Sequence, residues 1–401
     1  MELEIGRGKK ARRGYGFDDI AIVPSRRTRD PDDIDITWTL GPYRFELPLL
    51  ASAMDGVVSP DAAALIGKLG GLAVLNLEGI WTRYEDAAAQ LDRIAATPPN
   101  EATQLMQEIY SEPVKSELIG QRIEEIKAQG AVACGSLTPQ RVRDHYEGAL
   151  EAGLDILVIQ GTVISAEHVS ESVEPLNLKE FIGEVGVPCI VGGCASYSTG
   201  LHLMRTGAVG VLVGVGPGAA CTTRGVLGIG VPQATAIADV AAARSQHMLE
   251  TGGYCNVIAD GGMRTGGDVS KAVACGADAV MIGSPLARAK EAPGRGYHWG
   301  MATFHPSLPR GTRVTTEQDG TLEQILMGPA QENDGTFNLM GALRTSMATC
   351  GYEDIPSFHR AEVMIAPALQ TEGKQLQRQQ AVGMGSNGRA GVSAGVAVSD
   401  D

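Results

Sequence analysis

The segment Val211-Leu-Val-Gly-Val-Gly-Pro-Gly-Ala-Ala-Cys-Thr-Thr-Arg224 is an apolar, strand-like run that ends abruptly in a loop with three glycines. Glycines allow positive φ angles and a close approach of the backbone to a ligand or ion. Cys221 follows at the mouth of this loop, with two threonine hydroxyls beside it. A cysteine so placed is suited to act as a nucleophile. The segment therefore predicts a strand-to-loop junction of an α/β fold, and it predicts an enzyme.

Short apolar runs of this kind recur along the chain, and helical patterns separate them. The eight predicted strands are Leu47–Met54, Gly71–Leu77, Ala131–Gly135, Asp155–Gln160, Pro188–Gly193, Ala208–Gly214, Asn256–Gly261 and Ala279–Gly283. Such alternation indicates a parallel sheet, and eight units fit a closed (β/α)8 TIM barrel, whose usual size is about 250 residues. A Rossmann fold is the alternative, but no G-x-G-x-x-G motif opens a helix after the first strand.

Two connections are too long to be simple loops. Residues 79–130 join the second and third strands with helical content but are too short for an inserted domain of ordinary size. Residues 286–341 follow the last strand, are rich in Gly, Pro and Thr, and predict a mobile flap over the active site. We expect one catalytic domain over residues 1–375 and a flexible tail over 376–401, where Met384–Asp401 shows no periodicity.

The composition excludes several classes of protein. A hydrophobic content of 43% is ample for a core, and a net charge of −14 argues against a nucleic-acid-binding protein, because phosphate contacts need a basic face. The N-terminus lacks a secretory signal, and no apolar stretch approaches the ~20 residues of a membrane helix. The seven cysteines have no metal-binding spacing. We therefore expect a reduced, cytoplasmic protein with no nucleic-acid or membrane partner.

Glycine pairs end the last two predicted strands, in Ile258-Ala-Asp-Gly-Gly262 and Met281-Ile-Gly-Ser284. TIM barrels commonly bind phosphate with these two loops, where backbone N–H groups are available. Asp260 would repel a phosphate, but it suits the vicinal hydroxyls of a ribose. Phosphate and ribose together predict a nucleoside monophosphate, although barrels that bind FMN or sugar phosphates use similar loops.

Several sequence blocks, in the same order, make residues 12–365 similar to the IMP dehydrogenase/GMP reductase family. The matching blocks are the Cys221 loop, Tyr15–Ser25, Ser52–Asp55, Ile258–Asp268, Ala277–Ser284, part of His298–Met301, and Gly341–Met347. The short 79–130 connection indicates that the regulatory CBS pair, which many IMP dehydrogenases insert there, is absent. The chain thus resembles the compact IMP dehydrogenase-related branch of the family.

The resemblance implies that Cys221 attacks C2 of IMP, that hydride passes to NAD, and that the resulting thioimidate is hydrolysed to XMP. It also implies a homotetramer or homo-octamer and a K+ ion held by carbonyl oxygens of Gly216, Gly218 and Cys221. The residues implied to bind the nucleotide are Ser52, Met54, Asp260, Gly261, Gly262, Gly283, Ser284, His298, Gly300 and Met301. Those at the cofactor positions are Gln160, Gly161, Thr162 and Gly214.

The chain departs from the family pattern at several of these positions. Gln160-Gly-Thr162 stands where the dehydrogenases usually have Asp-Ser-Ser, and Cys194 stands where Asn is usual. Ala219 replaces a serine after Gly-Pro-Gly, and His298-Trp299 replaces Tyr-Arg. These differences leave both NAD and NADP open as the cofactor.

The residue that would activate water is also open, because residues 302–335 contain no Arg-Tyr pair. Arg310 and Arg313 are the candidates, and Glu317 is the candidate acidic partner of Thr223 in a proton relay. The two arginines on a long flap favour an IMP dehydrogenase over a GMP reductase, which uses the same cysteine but releases ammonia. The sequence is also compatible with a non-catalytic purine-nucleotide sensor and, more weakly, with an FMN-dependent oxidase.

Overall fold

We describe residues 2–165, 175–300, 312–367 and 373–383 of a computed structural model of the chain. Eight parallel strands form a closed barrel in which the eighth strand pairs with the first. They are β1 (Leu49–Ala51), β2 (Leu72–Asn76), β3 (Cys134–Leu137), β4 (Ile156–Gln160), β5 (Cys189–Cys194), β6 (Gly210–Val213), β7 (Asn256–Asp260) and β8 (Ala279–Ile282). The predicted (β/α)8 barrel is confirmed.

Fifteen α-helices lie in the described residues. They are α1 (Pro60–Lys68), α2 (Ala87–Ala96), α3 (Pro99–Ser111), α4 (Ser116–Ala128), α5 (Val142–Glu151), α6 (Leu178–Glu184), α7 (Tyr197–Met204), α8 (Thr223–Leu227), α9 (Gln233–Thr251), α10 (Gly266–Ala274), α11 (Ser284–Ala287), α12 (Leu322–Met327), α13 (Leu339–Thr349), α14 (Ile355–Phe358) and α15 (Gln375–Gln379).

Capping residues explain where several of these helices begin and end. The hydroxyl of Ser59 accepts a hydrogen bond from the Ala62 N–H at the start of α1, and Thr265 and Asp268 form a capping box at the start of α10. Gly252 ends α9 in the left-handed conformation that glycine adopts without steric cost. In the described residues, no helix is both long and apolar enough to span a membrane.

The barrel has two apolar layers, which explains the nearly continuous apolar strands. One layer fills the barrel interior with side chains such as Leu72, Val158 and Met281. The other lies between the strands and the surrounding helices. The hairpin Trp38–Leu40/Tyr43–Phe45 closes the amino end of the barrel, where the Trp38 and Phe45 rings stack with centroids 5.4 Å apart. The carboxyl end of the barrel is therefore the end that remains for a site.

Both long connections contain regular structure. Helices α2, α3 and α4 occupy the connection between β2 and β3. The predicted flap holds the paired strands Tyr297–His298 and Val314–Thr315, and then α12, whose Leu322, Ile325 and Leu326 are buried. The predicted tail begins with α15, while residues 384–401 lie outside the described residues. The Gly, Pro and Thr content of residues 286–341 predicted a mobile flap, but the segment includes a strand pair and a helix with a buried apolar face.

Candidate active site

The carboxyl ends of the barrel strands surround a cavity of about 1310 Å³. Ligand pockets usually measure 300–1,000 Å³, so this cavity has room for a nucleotide and a second ligand beside it. The predicted site residues that line it are Ser52, Met54, Gln160, Gly161, Thr162, Gly214, Gly216, Gly218, Cys221, Thr223, Asp260, Gly261, Gly262, Gly283, Ser284 and Gly300. The fold therefore brings residues from five strand ends and from the segment after β8 to one place.

Cys221 lies in the loop between β6 and α8. Its Sγ donates a hydrogen bond to Oγ1 of Thr223 at 3.2 Å, and its N–H donates to the carbonyl of Gly218 at 3.1 Å. Cys221 is exposed, while the other six cysteines are buried or half-buried. Burial raises the pKa of the Cys194 thiol, for example, to about 12. Cys221 is consequently the thiol that a ligand in the cavity can reach.

Arg224, which sequence reasoning did not single out, ties the two ends of the cysteine loop together. Its Nε donates to the carbonyl of Val215 at 3.2 Å, and its Nη2 donates to the carbonyl of Val231 at 2.7 Å. These bonds hold the loop closed behind Cys221, because Val215 precedes the nucleophile and Val231 follows it. The signal in the sequence was the basic residue placed directly after Cys-Thr-Thr.

The side chain of Asp260 lies at the base of the cavity with two glutamines. Nε2 of Gln160 donates to Oδ2 of Asp260 at 3.3 Å. Nε2 of Gln233 donates to the main-chain carbonyls of Val213, at 2.7 Å, and Asp260, at 3.1 Å. Burial raises the pKa of Asp260 to about 7, although the Gln160 hydrogen bond opposes this rise. The carboxyl therefore changes charge near neutral pH.

The glycines around Asp260 allow its loop to approach the cysteine loop. Gly261 and Gly262 have φ angles of 76° and 82°, in the left-handed region that disfavours other residues. At the neighbouring strand end, a Cβ on Gly283 would lie 2.4 Å from Sδ of Met54. A larger residue at these positions would therefore displace a wall of the cavity.

His298 does not line the cavity but supports a residue that does. It is buried, with Nε2 2.8 Å from Oγ of Ser284 and Nδ1 2.7 Å from Oγ1 of Thr316. Burial lowers the pKa of His298 to about 4, so the ring is neutral at neutral pH. One ring nitrogen then donates and the other accepts, which fixes the orientation of the Ser284 hydroxyl.

The structure does not bring Arg313 and Glu317 into the cavity. Nη1 of Arg313 donates to the carbonyls of Ile94 and Thr97, the latter at 2.9 Å. Its guanidinium lies 4.3 Å from the centroid of the Tyr297 ring. Glu317 is exposed and is absent from the cavity lining. The arginine joins the segment after β8 to helix α2, and its role in activating water stays a prediction.

Two predicted residues, Arg310 and Met301, lie outside the described residues. Sequence reasoning also missed one lobe of the cavity, formed after β2 and β3 by Glu78 and by residues 138–141. Oε1 of Glu78 accepts a hydrogen bond from the N–H of Thr138 at 2.5 Å, which joins these two strand ends. Their position directly after barrel strands was the available signal.

A closed barrel with an exposed cysteine, a buried carboxyl and glycine-lined strand ends around one cavity defines a candidate enzyme site. Residues 14–375 match the model of the IMP dehydrogenase/GMP reductase domain. The chain therefore belongs to the IMP dehydrogenase/GMP reductase family, which is a family of oxidoreductases. No CBS module interrupts the matched span in the part of the chain that the structure describes.

The chain is similar to relatives of two kinds. An uncharacterized oxidoreductase of Mycolicibacterium smegmatis is 47% identical over 372 residues, covering 90% of this chain and 99% of the relative. An inosine-5'-monophosphate dehydrogenase of Cryptosporidium parvum is 29% identical, covering 86% of this chain and 90% of the relative. The crystal structure of an IMP dehydrogenase/GMP reductase-like protein from Corynebacterium glutamicum is similar with a TM-score of 0.87 and 46% identity, covering 91% and 97% of the two chains.

Proposed function

We propose that the protein is an IMP dehydrogenase, which oxidises IMP to XMP with NAD in guanine nucleotide biosynthesis. The observation that carries the proposal is the exposed Cys221 thiol, hydrogen-bonded to Thr223 in the same cavity as Asp260. The relatives named inosine-5'-monophosphate dehydrogenases, in Methanocaldococcus jannaschii as well as in Cryptosporidium parvum, support the choice of reaction.

The residues of the cavity divide the work of binding and chemistry. Asp260 accepts hydrogen bonds from the ribose hydroxyls, while the loops at Gly262 and Ser284 receive the phosphate. The Cys221 thiol loses its proton to water, and Sγ adds to C2 of the purine as the hydride passes from C2 to NAD+, which gives a thioimidate. Water then replaces sulfur at C2, which gives XMP and restores the thiol. Thr223 orients the thiol through its hydrogen bond.

The size of the cavity also supports a site for a dinucleotide beside the purine nucleotide. The lobe at Glu78 and residues 138–141 continues into the loop after β4, where Gly161 and Thr162 line the cavity. We propose that this continuous surface, with Gln160 and Gly214, holds NAD. When bound, the nicotinamide accepts the hydride.

The loop before Cys221 offers oxygen ligands for a monovalent cation. We propose that the carbonyls of Gly216, Gly218 and Cys221 hold K+, because carbonyl oxygens are the ligands that K+ takes up in place of water. The turn is compatible with this role, since Gly216 has a φ of 73° and the Gly218 carbonyl keeps a second lone pair beside its bond to the Cys221 N–H.

The proposal includes the assembly and location that the sequence predicts. The seven cysteines are all free thiols, which supports a reducing, cytoplasmic setting. A homotetramer or homo-octamer is proposed from the family resemblance, and light scattering of the purified protein would test it.

A GMP reductase is the second candidate, and the position of Arg313 favours it. Reduction of GMP uses the same cysteine but needs no activated water, and Arg313 is held by backbone carbonyls outside the cavity. The reductase would consume NADPH and GMP and release ammonia.

The test is to supply both reactions to the purified protein, with Cys221→Ala as the control. Formation of NADH from IMP and NAD+ by the native protein but not by Cys221→Ala would support the dehydrogenase, and replacement of KCl with NaCl would test the cation. Oxidation of NADPH in the presence of GMP, without formation of NADH from IMP, would instead support the reductase. Nucleotide binding without turnover in either reaction would favour a sensor.

A further inference from the structure

Three buried side chains from distant parts of the chain meet beside the cavity. They are Asp55, which follows the cavity residue Met54; Tyr110, on α3; and Trp299, which precedes the cavity residue Gly300. The Tyr110 hydroxyl donates to Oδ2 of Asp55, and Nε1 of Trp299 donates to the Tyr110 oxygen at 2.7 Å. Two segments that line the cavity are thus joined through a helix that does not line it.

The directions of these hydrogen bonds are fixed by the chemistry of the groups. The indole N–H of Trp299 can only donate, so the Tyr110 oxygen must accept from it. The phenol hydrogen then remains for the carboxylate of Asp55. Oδ2 of Asp55 also accepts from the Ile80 N–H at 3.1 Å, which anchors the same carboxylate to the chain after β2.

The backbone of the two segments is equally close. The Gly294 N–H donates to the carbonyl of Gly56 at 3.0 Å. A Cβ on Gly56 would lie 2.8 Å from the Tyr297 carbonyl oxygen and 3.4 Å from the Trp299 ring. The side chains of His298 and of the next residue, Trp299, lie on opposite sides of this segment. His298 contacts Ser284, while Trp299 packs with α2 and α3.

We propose that Tyr110 is a positioning residue for nucleotide binding. Its hydroxyl holds the loop after β1 and the segment before residue 301 in one arrangement, and helices α2 and α3 form the support for this end of the site. The inference rests on the proposed function, because it takes the ligand to be a purine nucleoside monophosphate. It also gives a role to helices α2 and α3 of the connection between β2 and β3.

The test compares Tyr110→Phe with the matched variant Tyr84→Phe. The Tyr84 hydroxyl donates to the carbonyl of Ile109 at 3.0 Å, and Tyr84 packs on the same apolar cluster as Tyr110. Each variant therefore loses one hydroxyl from the same support, but only Tyr110→Phe releases Asp55 and Trp299. IMP affinity is measured by calorimetry without cofactor, and thermal melting is measured alongside.

We expect Tyr110→Phe to weaken IMP binding about tenfold or more, since small misplacements of binding groups have effects of this size. Its KM for the nucleotide should rise while its KM for the cofactor stays unchanged. Tyr84→Phe should bind IMP as the native protein does. Equal IMP affinity in the two variants would overturn the positioning role while leaving the proposed function intact.

Native protein that binds neither IMP nor GMP would overturn the proposed function, and this inference with it. If Tyr110→Phe does not fold, Trp299→Phe keeps an aromatic ring but removes the N–H donor. Native IMP affinity in Trp299→Phe would then overturn the proposal. A Tyr110→Phe/Trp299→Phe double variant should bind IMP only slightly more weakly than the single variant with the lower affinity, because both changes break the same hydrogen-bond network.

Discussion

The ionisation of Asp260 predicts how nucleotide binding depends on pH. Burial raises the pKa of this carboxyl to about 7 in the empty cavity. To accept hydrogen bonds from both ribose hydroxyls the carboxyl must be ionised, because a protonated acid has lost part of its acceptor capacity. Binding should therefore strengthen as pH rises through neutrality, whereas an aspartate with an ordinary pKa would be ionised throughout this range and would give no such pH dependence.

The magnitude follows from the ionised fraction. With a pKa of about 7, roughly one carboxyl in eleven is ionised at pH 6 and about ten in eleven at pH 8. The affinity for IMP should fall about tenfold from pH 8 to pH 6, and binding at pH 7 should release about half a proton per nucleotide. Calorimetry in two buffers with different ionisation enthalpies measures both quantities.

The design must separate Asp260 from the other titrating groups. The measurements use Cys221→Ala, which removes the thiol and any turnover, and inosine as a second ligand, because the phosphate of IMP itself titrates near pH 6. His298 stays neutral throughout, since its pKa is lowered to about 4. Asp260→Asn in the same background should bind weakly and release no proton with inosine. Identical pH profiles for Asp260→Asn and its parent would show that Asp260 is not the group whose ionisation controls binding.

Three further predictions concern the hydrogen bonds of Gln160, His298 and Arg313. Gln160→Leu removes a hydrogen bond that lowers the pKa of Asp260, so the midpoint of the binding pH profile should move upward; an unmoved midpoint would contradict the contact. His298→Ala leaves the Ser284 hydroxyl without its partner and should raise the KM for IMP about tenfold, whereas an unchanged KM would show that Ser284 does not bind phosphate. Arg313→Ala should lower the free energy of unfolding by about 1–3 kcal/mol in urea titrations and spare turnover; loss of turnover in a stable variant would return it to the mechanism.

Most of the barrel was predictable because its strands are covered on both faces. Runs such as Ala279–Ile282 are buried throughout, and such strands stand out in a sequence as unbroken apolar segments. The cysteine loop and the glycine pairs were predictable for a related reason. Each directly follows a strand, and strand ends meet at one edge of a closed barrel.

The remaining features depend on contacts between residues far apart in the chain. Arg313 lies in a segment whose composition is typical of a flap. Its hydrogen-bond partners, however, are main-chain carbonyls 216 and 219 residues away in the chain. The bond between Tyr110 and Trp299 spans 189 residues, and no local pattern marks either residue. The sequence did not predict helix α12, because the helix is short and its neighbours in the chain are rich in glycine and threonine. Local sequence indicated which strand ends form the site, but it did not indicate which distant side chains support them.

The proposed reaction requires a covalent bond between Sγ of Cys221 and C2 of the purine during turnover. The most direct measurement is to mix the protein with IMP and NAD+, quench in acid within the first turnover, and determine the mass of the peptide that contains Cys221. We predict a fraction of this peptide that carries the nucleotide, and none after the same treatment of Cys221→Ala. NADH formation with an unmodified Cys221 peptide at every quench time would rule out covalent catalysis by Cys221.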